Sequence, residues 1–243
     1  MSDKPTVIDL FCGIGGFSKG FEMAGFEVLF GIDNWEVAID TFKNNHNDTE
    51  GILADLTELG DEFFSQYEDK VDVIIAGPPC QGFSMCGKRE VGDKRNELFN
   101  EVVRAVKIIK PKIVIIENVV GLLSMKNVDG DNVKDVIKRE FNEIGYQVEH
   151  KILDASEHGV PQKRKRVIFI VSKIGEVKFP KPKKYVVTVK EALSNIPDTI
   201  FENYTEPVND FQKLMADGET KIYNHEPSRR NKMKLHASGE DYL

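Results

Sequence analysis

The sequence predicts an α/β fold, a mainly parallel sheet with helices on both faces, and three observations predict it. Apolar, β-branched stretches alternate with stretches of helical apolar spacing through the first two-thirds of the chain. Glycines join the first expected strand to the first expected helix, where the backbone must turn tightly. The residues that carry chemistry, Phe11, Asp33, Asp55, Pro79 and Glu117, each fall at the C-terminal end of an expected strand, where parallel sheets bind ligands.

Residues 6–11 read as a buried strand, 16–24 as a helix and 27–32 as a second strand. Helical spacing over 35–44 is followed by segment 51–54, which leads into Asp55, and by an apolar run at 71–76. Over 96–110, Leu98, Val102, Val103, Val106 and Ile109 line one side, so this segment is predicted as a strongly amphipathic helix. Pro111 ends it, because proline lacks the donor that a further turn requires. A strand at 113–116, a helix at 131–144 and extended segments at 146–153 and 166–171 complete the pattern. Residues 1–185 are expected to form this domain. Residues 186–243 read as the start of a smaller one, with a short helix at 189–196 followed by polar, proline-punctuated sequence.

The chain has 243 residues, 40% hydrophobic and 30% charged, which suits one α/β domain plus an appendage. No apolar run approaches the ~20 residues that span a bilayer, and residues 1–6 are too polar for a signal peptide. Cys12, Cys80 and Cys86 are odd in number and lack zinc-type pairing, which fits a reducing cytoplasm and no metal site. The net charge of −7 argues against a chain that grips a duplex unaided, since a basic surplus supplies most non-specific affinity. Basic runs are local, at 163–166, 178–184 and 229–234, and the last two read equally well as solvated surface.

Within Gly77-Pro78-Pro79-Cys80-Gln81-Gly82-Phe83-Ser84, two prolines stiffen a loop that presents a thiol at the open end of the sheet. A buried small residue is the plainer reading of Cys80 taken alone. Asp9-Leu10-Phe11-Cys12-Gly13-Ile14-Gly15-Gly16 lets the backbone approach a ligand at a helix N-terminus, although a purely structural turn has the same composition. Asp33, ending the next strand, is placed to bind ribose hydroxyls, and Asp55 to reach an adenine amino group. The absence of a full dinucleotide fingerprint fits a single nucleoside.

Glu117 ends an apolar strand, where it either caps the next segment or offers a carboxyl of raised pKa to a ring nitrogen. In Gln162-Lys163-Arg164-Lys165-Arg166, strand alternation sends Arg164 and Arg166 to one side, where two guanidinium groups hold a phosphate, carboxylate or base carbonyl. His158, beside Gly159-Val160-Pro161, reads as a loop hydrogen-bonder, and Cys12 and Cys86 as packing residues.

Taken in order over 7–171, these motifs resemble those of the DNA cytosine-5 methyltransferases: the Asp-Leu-Phe-x-Gly-x-Gly-Gly start, Gly-Pro-Pro-Cys-Gln-Gly-Phe-Ser, Glu-Asn-Val and Gln-x-Arg-x-Arg, with Arg95-Asn96-Glu97-Leu98-Phe99 before the mid-domain helix. The resemblance implies a Rossmann-like S-adenosylmethionine-dependent methyltransferase fold. It implies that Phe11, Gly13, Gly15, Asp33, Asn34, Asp55, Pro79 and Leu98 surround S-adenosylmethionine, Phe11 facing the adenine. Family members often carry tryptophan where Asn34 stands, with Trp35 adjacent here. Cys80 matches the nucleophile that adds to cytosine C6, Glu117 the residue at N3, and Arg166 the arginine at the carbonyl. Arg164 supports that cluster or contacts DNA, Gln81 and Gln162 belong to the same motifs, and Ser84 lies on the loop that closes over the base. Double-stranded DNA with a flipped cytosine is the implied substrate.

The family's single-chain members continue into a target-recognition domain and a closing Gly-Asn motif, and neither is found here. The preferred expectation is the catalytic subunit of a split enzyme of restriction-modification type, with a second subunit supplying recognition. A truncated chain and an inactive fragment are the alternatives. Rival functions are a tRNA cytosine-5 methyltransferase, which Gly82-Phe83-Ser84 argues against, and a non-catalytic binding module that retains the cofactor fold. A small-molecule methyltransferase leaves Cys80, Glu117 and the paired arginines without a role.

Overall fold

The structure, a computed structural model, describes residues 4–79, 97–127 and 130–192. The chain divides into two units, Met1–Thr188 and Val189–Leu243. Of the second, only the short helix Val189–Ala192 is described. Cys80, Gln81, Ser84 and the remainder of the expected smaller domain lie outside the described residues.

The first unit holds strands β1 (Thr6–Leu10), β2 (Glu27–Asp33), β3 (Glu50–Leu53), β4 (Val73–Ala76), β5 (Ile113–Val119), β6 (Gln147–Asp154) and β7 (Lys165–Ser172). Helices α1 (Gly16–Met23), α2 (Glu36–Asn45), α3 (Asp61–Ser65), α4 (Glu97–Ile109) and α5 (Val133–Glu143) connect or follow them. The strands form one sheet in the order β3-β2-β1-β4-β5-β7-β6. The pairs among β1 to β5 are parallel, while β7 runs antiparallel to both β5 and β6. The sequence order reverses direction at β1 and β4, which makes their C-terminal ends the natural ligand crevice.

Helices cover both faces, as the sequence predicts. Every residue of β4 is buried, the signature of a central parallel strand. On one face Ile8, Leu10, Phe30, Ile32, Ile74, Ile116 and Phe169 pack with Phe64 of α3, Val102 and Val106 of α4, and Ile137 and Phe141 of α5. On the other, Val7, Val28, Val73 and Ile75 meet Phe17 and Phe21 of α1, and Cys12 packs with Ile39 and Phe42 of α2. Each such large apolar side chain contributes about 1.5–3 kcal/mol when fully buried.

The sequence did not foresee α3, whose five residues show no full period. It also ended β5 three residues early: the strand runs on through Glu117, Asn118 and Val119 because β7 pairs with them opposite Ile168, Val167 and Arg166. Glu117 therefore sits within a strand, not after one.

Candidate active site

The turn after β1 is shaped by its glycines. Phe11, Gly13 and Gly15 have φ of 61°, 53° and 87°, the left-handed region that glycine enters freely and phenylalanine rarely. Cys12 N–H donates to Ile32 O at 3.0 Å and Gly15 N–H to Cys12 O at 2.9 Å, closing the turn against β2. A Cβ at Gly13 would meet nothing within 4 Å, so the turn opens onto free space there. Phe11 is half-buried and leans on the main core.

Asp33, the last residue of β2, binds this turn directly: one carboxylate oxygen accepts Gly13 N–H at 2.9 Å and the other Trp35 N–H at 3.0 Å. Asp55 follows β3 across the neighbouring register, its Oδ1 accepting the Thr57 hydroxyl at 2.7 Å and the Thr57 N–H at 2.9 Å. Asn34 Nδ2 reaches Asp55 Oδ2 at 3.4 Å. Phe11, Gly13, Gly15, Asp33, Asn34 and Asp55 thus follow the adjacent strands β1, β2 and β3 at one end of the sheet. Trp35, whose backbone N–H binds Asp33, is 54% exposed. This set fits an adenosine-bearing cofactor: two carboxylates for hydroxyl or amino donors, a glycine turn and an exposed indole.

Below the turn lies Asp9, fully buried in β1 and accepting the Ser18 hydroxyl at 2.6 Å. Burial pushes its carboxyl up to about 7, the Ser18 hydrogen bonds opposing and the nearby Asp33 charge adding to the rise. Burial likewise pushes the Cys12 thiol up, helped by the charges of Asp9 and Asp33. Cys12 is therefore a packing residue and not a nucleophile, as its sequence context indicates.

The second cluster belongs to β4, β5 and β7. Asn118, buried in β5, donates from Nδ2 to Pro78 O at 3.0 Å and so holds the loop that leads to Cys80. Pro78, Pro79, Phe99, Ile116, Asn118, Leu122, Ile137 and Phe169 line a small apolar pocket there. On the opposite face of β5, Glu117 Oε1 lies 2.6 Å from Arg166 Nε. The antiparallel register makes this contact: Glu117 faces Ile168, so Arg166 is its diagonal neighbour on the same face. The two side chains remain 32% and 26% exposed.

Some expected residues are not gathered in. Arg164 is exposed, just before β7, and its side chain makes no hydrogen bond or ion pair among the described residues; its backbone N–H reaches Asp154 Oδ1 at 3.3 Å. Gln162 is exposed in the preceding turn, its N–H donating to Val160 O at 2.8 Å. Leu98 is half-buried in the first turn of α4, and Pro79 is exposed. The Nε2 of His158 is buried with no hydrogen-bond partner among the described residues, unlike the loop hydrogen-bonder its sequence suggests.

Sequence reasoning missed His46. Its side chain is 1% exposed, its Nδ1 lies 2.6 Å from Glu22 Oε1 and its Nε2 3.1 Å from Gly15 O. The only signal was a histidine closing the helix that follows Asp33.

The sequence profile of the family described as C-5 cytosine-specific DNA methylase matches residues 5–241. The type II methyltransferase M.DdeI of Desulfomicrobium norvegicum is 39% identical over 235 residues, covering 90% of this chain and 57% of that protein. The type II methyltransferase M1.HphI of Haemophilus parahaemolyticus is 38% identical, covering 95% and 59% respectively. The chain therefore spans less than two-thirds of the length of these curated relatives. A crystal structure described as a DNA modification methyltransferase encoded within an E. coli prophage superposes with a TM-score of 0.66 at 32% identity, over 80% of this chain and 56% of that one. DNMT2 of Spodoptera frugiperda, 22% identical with a TM-score of 0.59 over 76% of this chain and 55% of that one, shares the fold.

Proposed function

Because this chain belongs to the C-5 cytosine-specific DNA methylase family, we propose that it transfers a methyl group from S-adenosylmethionine to C5 of a cytosine flipped out of duplex DNA. The observation that carries the reading is the Glu117–Arg166 pair at 2.6 Å, on the strand whose Asn118 holds Pro78, two residues before Cys80. Those groups serve a pyrimidine with a carbonyl and a ring nitrogen, and no small-molecule methyl acceptor needs them all.

When bound, S-adenosylmethionine supplies an electrophilic methyl on its sulfonium. Asp33 and Asp55 bind its ribose and adenine, and the turn through Gly13 and Gly15 lets it approach the backbone. The Cys80 thiolate adds to C6 of the cytosine, which makes C5 nucleophilic. Arg166 would move from Glu117 to the base carbonyl, and Glu117, carrying a proton, would donate a hydrogen bond to N3, where negative charge develops. Once C5 has taken the methyl, with S-adenosylhomocysteine as the leaving group, a base removes the C5 proton and Cys80 departs as the thiolate by elimination. Flipping costs a few kcal/mol, recovered through these contacts.

The reading includes a partner. A net charge of −7 is a poor match for phosphate. A second chain of restriction-modification type would supply the contacts to DNA, with residues 186–243 as the start of the recognition domain. The test incubates the chain, alone and with the product of the adjacent reading frame, with a 5-fluorocytosine duplex, with tRNA, and with cofactor. The expected result is a denaturation-resistant DNA adduct in the two-chain mixture that Cys80→Ala removes. An adduct on tRNA instead, or none through Cys80, overturns the reading. Efficient sequence-specific methylation by the chain alone overturns the partner requirement.

A further inference from the structure

We propose that His46, held by Glu22, is a positioning residue that fixes the glycine turn for S-adenosylmethionine; this rests on the cofactor reading of Gly13, Gly15 and Asp33 above. The ring is almost fully buried and stacks on Phe42 at 4.4 Å between centroids. Its Nε2 faces the carbonyl of Gly15 at 3.1 Å, an oxygen that can only accept, so Nε2 carries hydrogen. Its Nδ1 faces Glu22 Oε1 at 2.6 Å, the short separation of a charge-assisted hydrogen bond. Burial alone would raise the Glu22 carboxyl, but hydrogen bonds from His46 and Lys19 outweigh that and hold it below its ordinary value. An ionised Glu22 therefore faces Nδ1, which donates to it as Nε2 donates to Gly15 O, and the ring orientation is fixed from α1.

Gly15 O already accepts the first bond of α1, from Lys19 N–H at 2.8 Å, so His46 adds a second donor to the residue from which that helix starts. Next to it, Asn45 Nδ2 donates to Ile14 O at 3.2 Å. The end of α2 thus grips two successive carbonyls of the turn, while Asp33 grips its Gly13 N–H from the other side. The fit admits no slack: a Cβ on Gly15 would lie 2.1 Å from His46 Nε2. Gly15 and His46 specify each other, and the turn is held in shape before any ligand arrives.

Trp35 is the chain's single tryptophan and is exposed beside Asp33, so its fluorescence reports binding of S-adenosylhomocysteine to the full chain. His46→Leu is expected to weaken that binding about tenfold, the effect of losing one hydrogen bond to a charged system. The double variant His46→Gln with Glu22→Gln, which keeps a donor to Gly15 O without an unpaired carboxylate, is expected to recover most of it. Ile39→Val removes packing from the same helix and is expected to lower the melting temperature while leaving affinity unchanged. Should His46→Leu not fold, Glu22→Gln provides the same comparison. A folded His46→Leu that binds as tightly as wild type overturns the proposal, as does an affinity that simply tracks stability through Ile39→Val. Wild-type binding that Asp33→Ala abolishes supports the underlying cofactor reading separately, and no wild-type titration at all overturns both.

Discussion

The two halves of the sheet solve the problem of placing functional side chains differently. In the parallel half, β3-β2-β1-β4, Phe11 and Asp55 stand just past the strands and Asp33 ends one, where the ladder gives way to loop. In the antiparallel half, Glu117 and Arg166 stand inside paired strands, and their meeting depends on register. A residue at a strand end is placed by the adjoining turn and its hydrogen bonds, as Asp33 is by Gly13 and Trp35. A ladder residue is placed by every pair in the ladder, and a one-residue slip would send Arg166 to the other face. The first half is therefore set by local hydrogen bonds, the second by register along the whole ladder.

The largest expected effect tests that division of labour. Glu117→Gln should lower kcat of the reconstituted enzyme about a thousandfold, because it removes charge stabilisation made only in the transition state. Its affinity for S-adenosylhomocysteine should stay within about twofold of wild type, since a neutral residue of the same shape leaves the parallel half untouched. Equal losses in both measurements would show that the halves are not separable.

The same contrast explains what the sequence made legible. Alternating apolar runs and the stripe of Val102, Val106 and Ile109 were enough for the fold, because burial needs only the right period. The glycine turn and Asp33 were legible because each chemical cue sits next to the strand that positions it. Glu117 was identified with a strand end because nothing local announces that β7, some fifty residues later, will extend the ladder past it. The Gly15–His46 contact spans 31 positions and joins two helices, so no window of sequence contains it. The basic run at 163–166 promised two cooperating arginines, yet the ladder starts at Lys165 and takes up only Arg166 with Glu117.

Asp33→Ala should come next in size, raising the KM for S-adenosylmethionine about a hundredfold with kcat at saturation little changed. It removes the proposed ribose acceptor and, with it, the anchor of Gly13 N–H. A kcat loss instead would place Asp33 with the reacting base and erase the distinction between halves.

Asp9 sharpens the comparison through pH. It is the fully buried carboxyl of the parallel half, with its ionisation raised to about 7 from 3.8. Between those values the unfolded chain has released this proton and the folded chain still holds it, so the Asp9 contribution to stability falls as pH rises, levelling off above about 7. Asp9→Asn keeps an acceptor for Ser18 and removes the titration. Urea unfolding at pH 5 and pH 8 should show the variant gaining about 2 kcal/mol relative to wild type over that interval. An unchanged difference between the two proteins would mean that Asp9 ionises at its ordinary pH.

The smallest effect concerns how the parallel half is braced from α4. Arg104 donates to Glu101 at 2.7 Å, to Asp61 at 2.7 Å and to the carbonyls of Leu56 and Leu59 at 2.9 Å, while lying 5.1 Å from the centre of the Phe64 ring. These bonds tie down the segment that follows Asp55, so Arg104 braces the loop that carries the proposed adenine ligand. Arg104→Met keeps the stem and its packing but frees the two carbonyls. Stability in urea should fall by about 1 kcal/mol and cofactor affinity about threefold, with the adduct yield of the reconstituted enzyme at saturating cofactor unchanged. A loss of adduct under those conditions would mean that bracing from α4 reaches across to Glu117 and Arg166, and that the two halves of the sheet act as one.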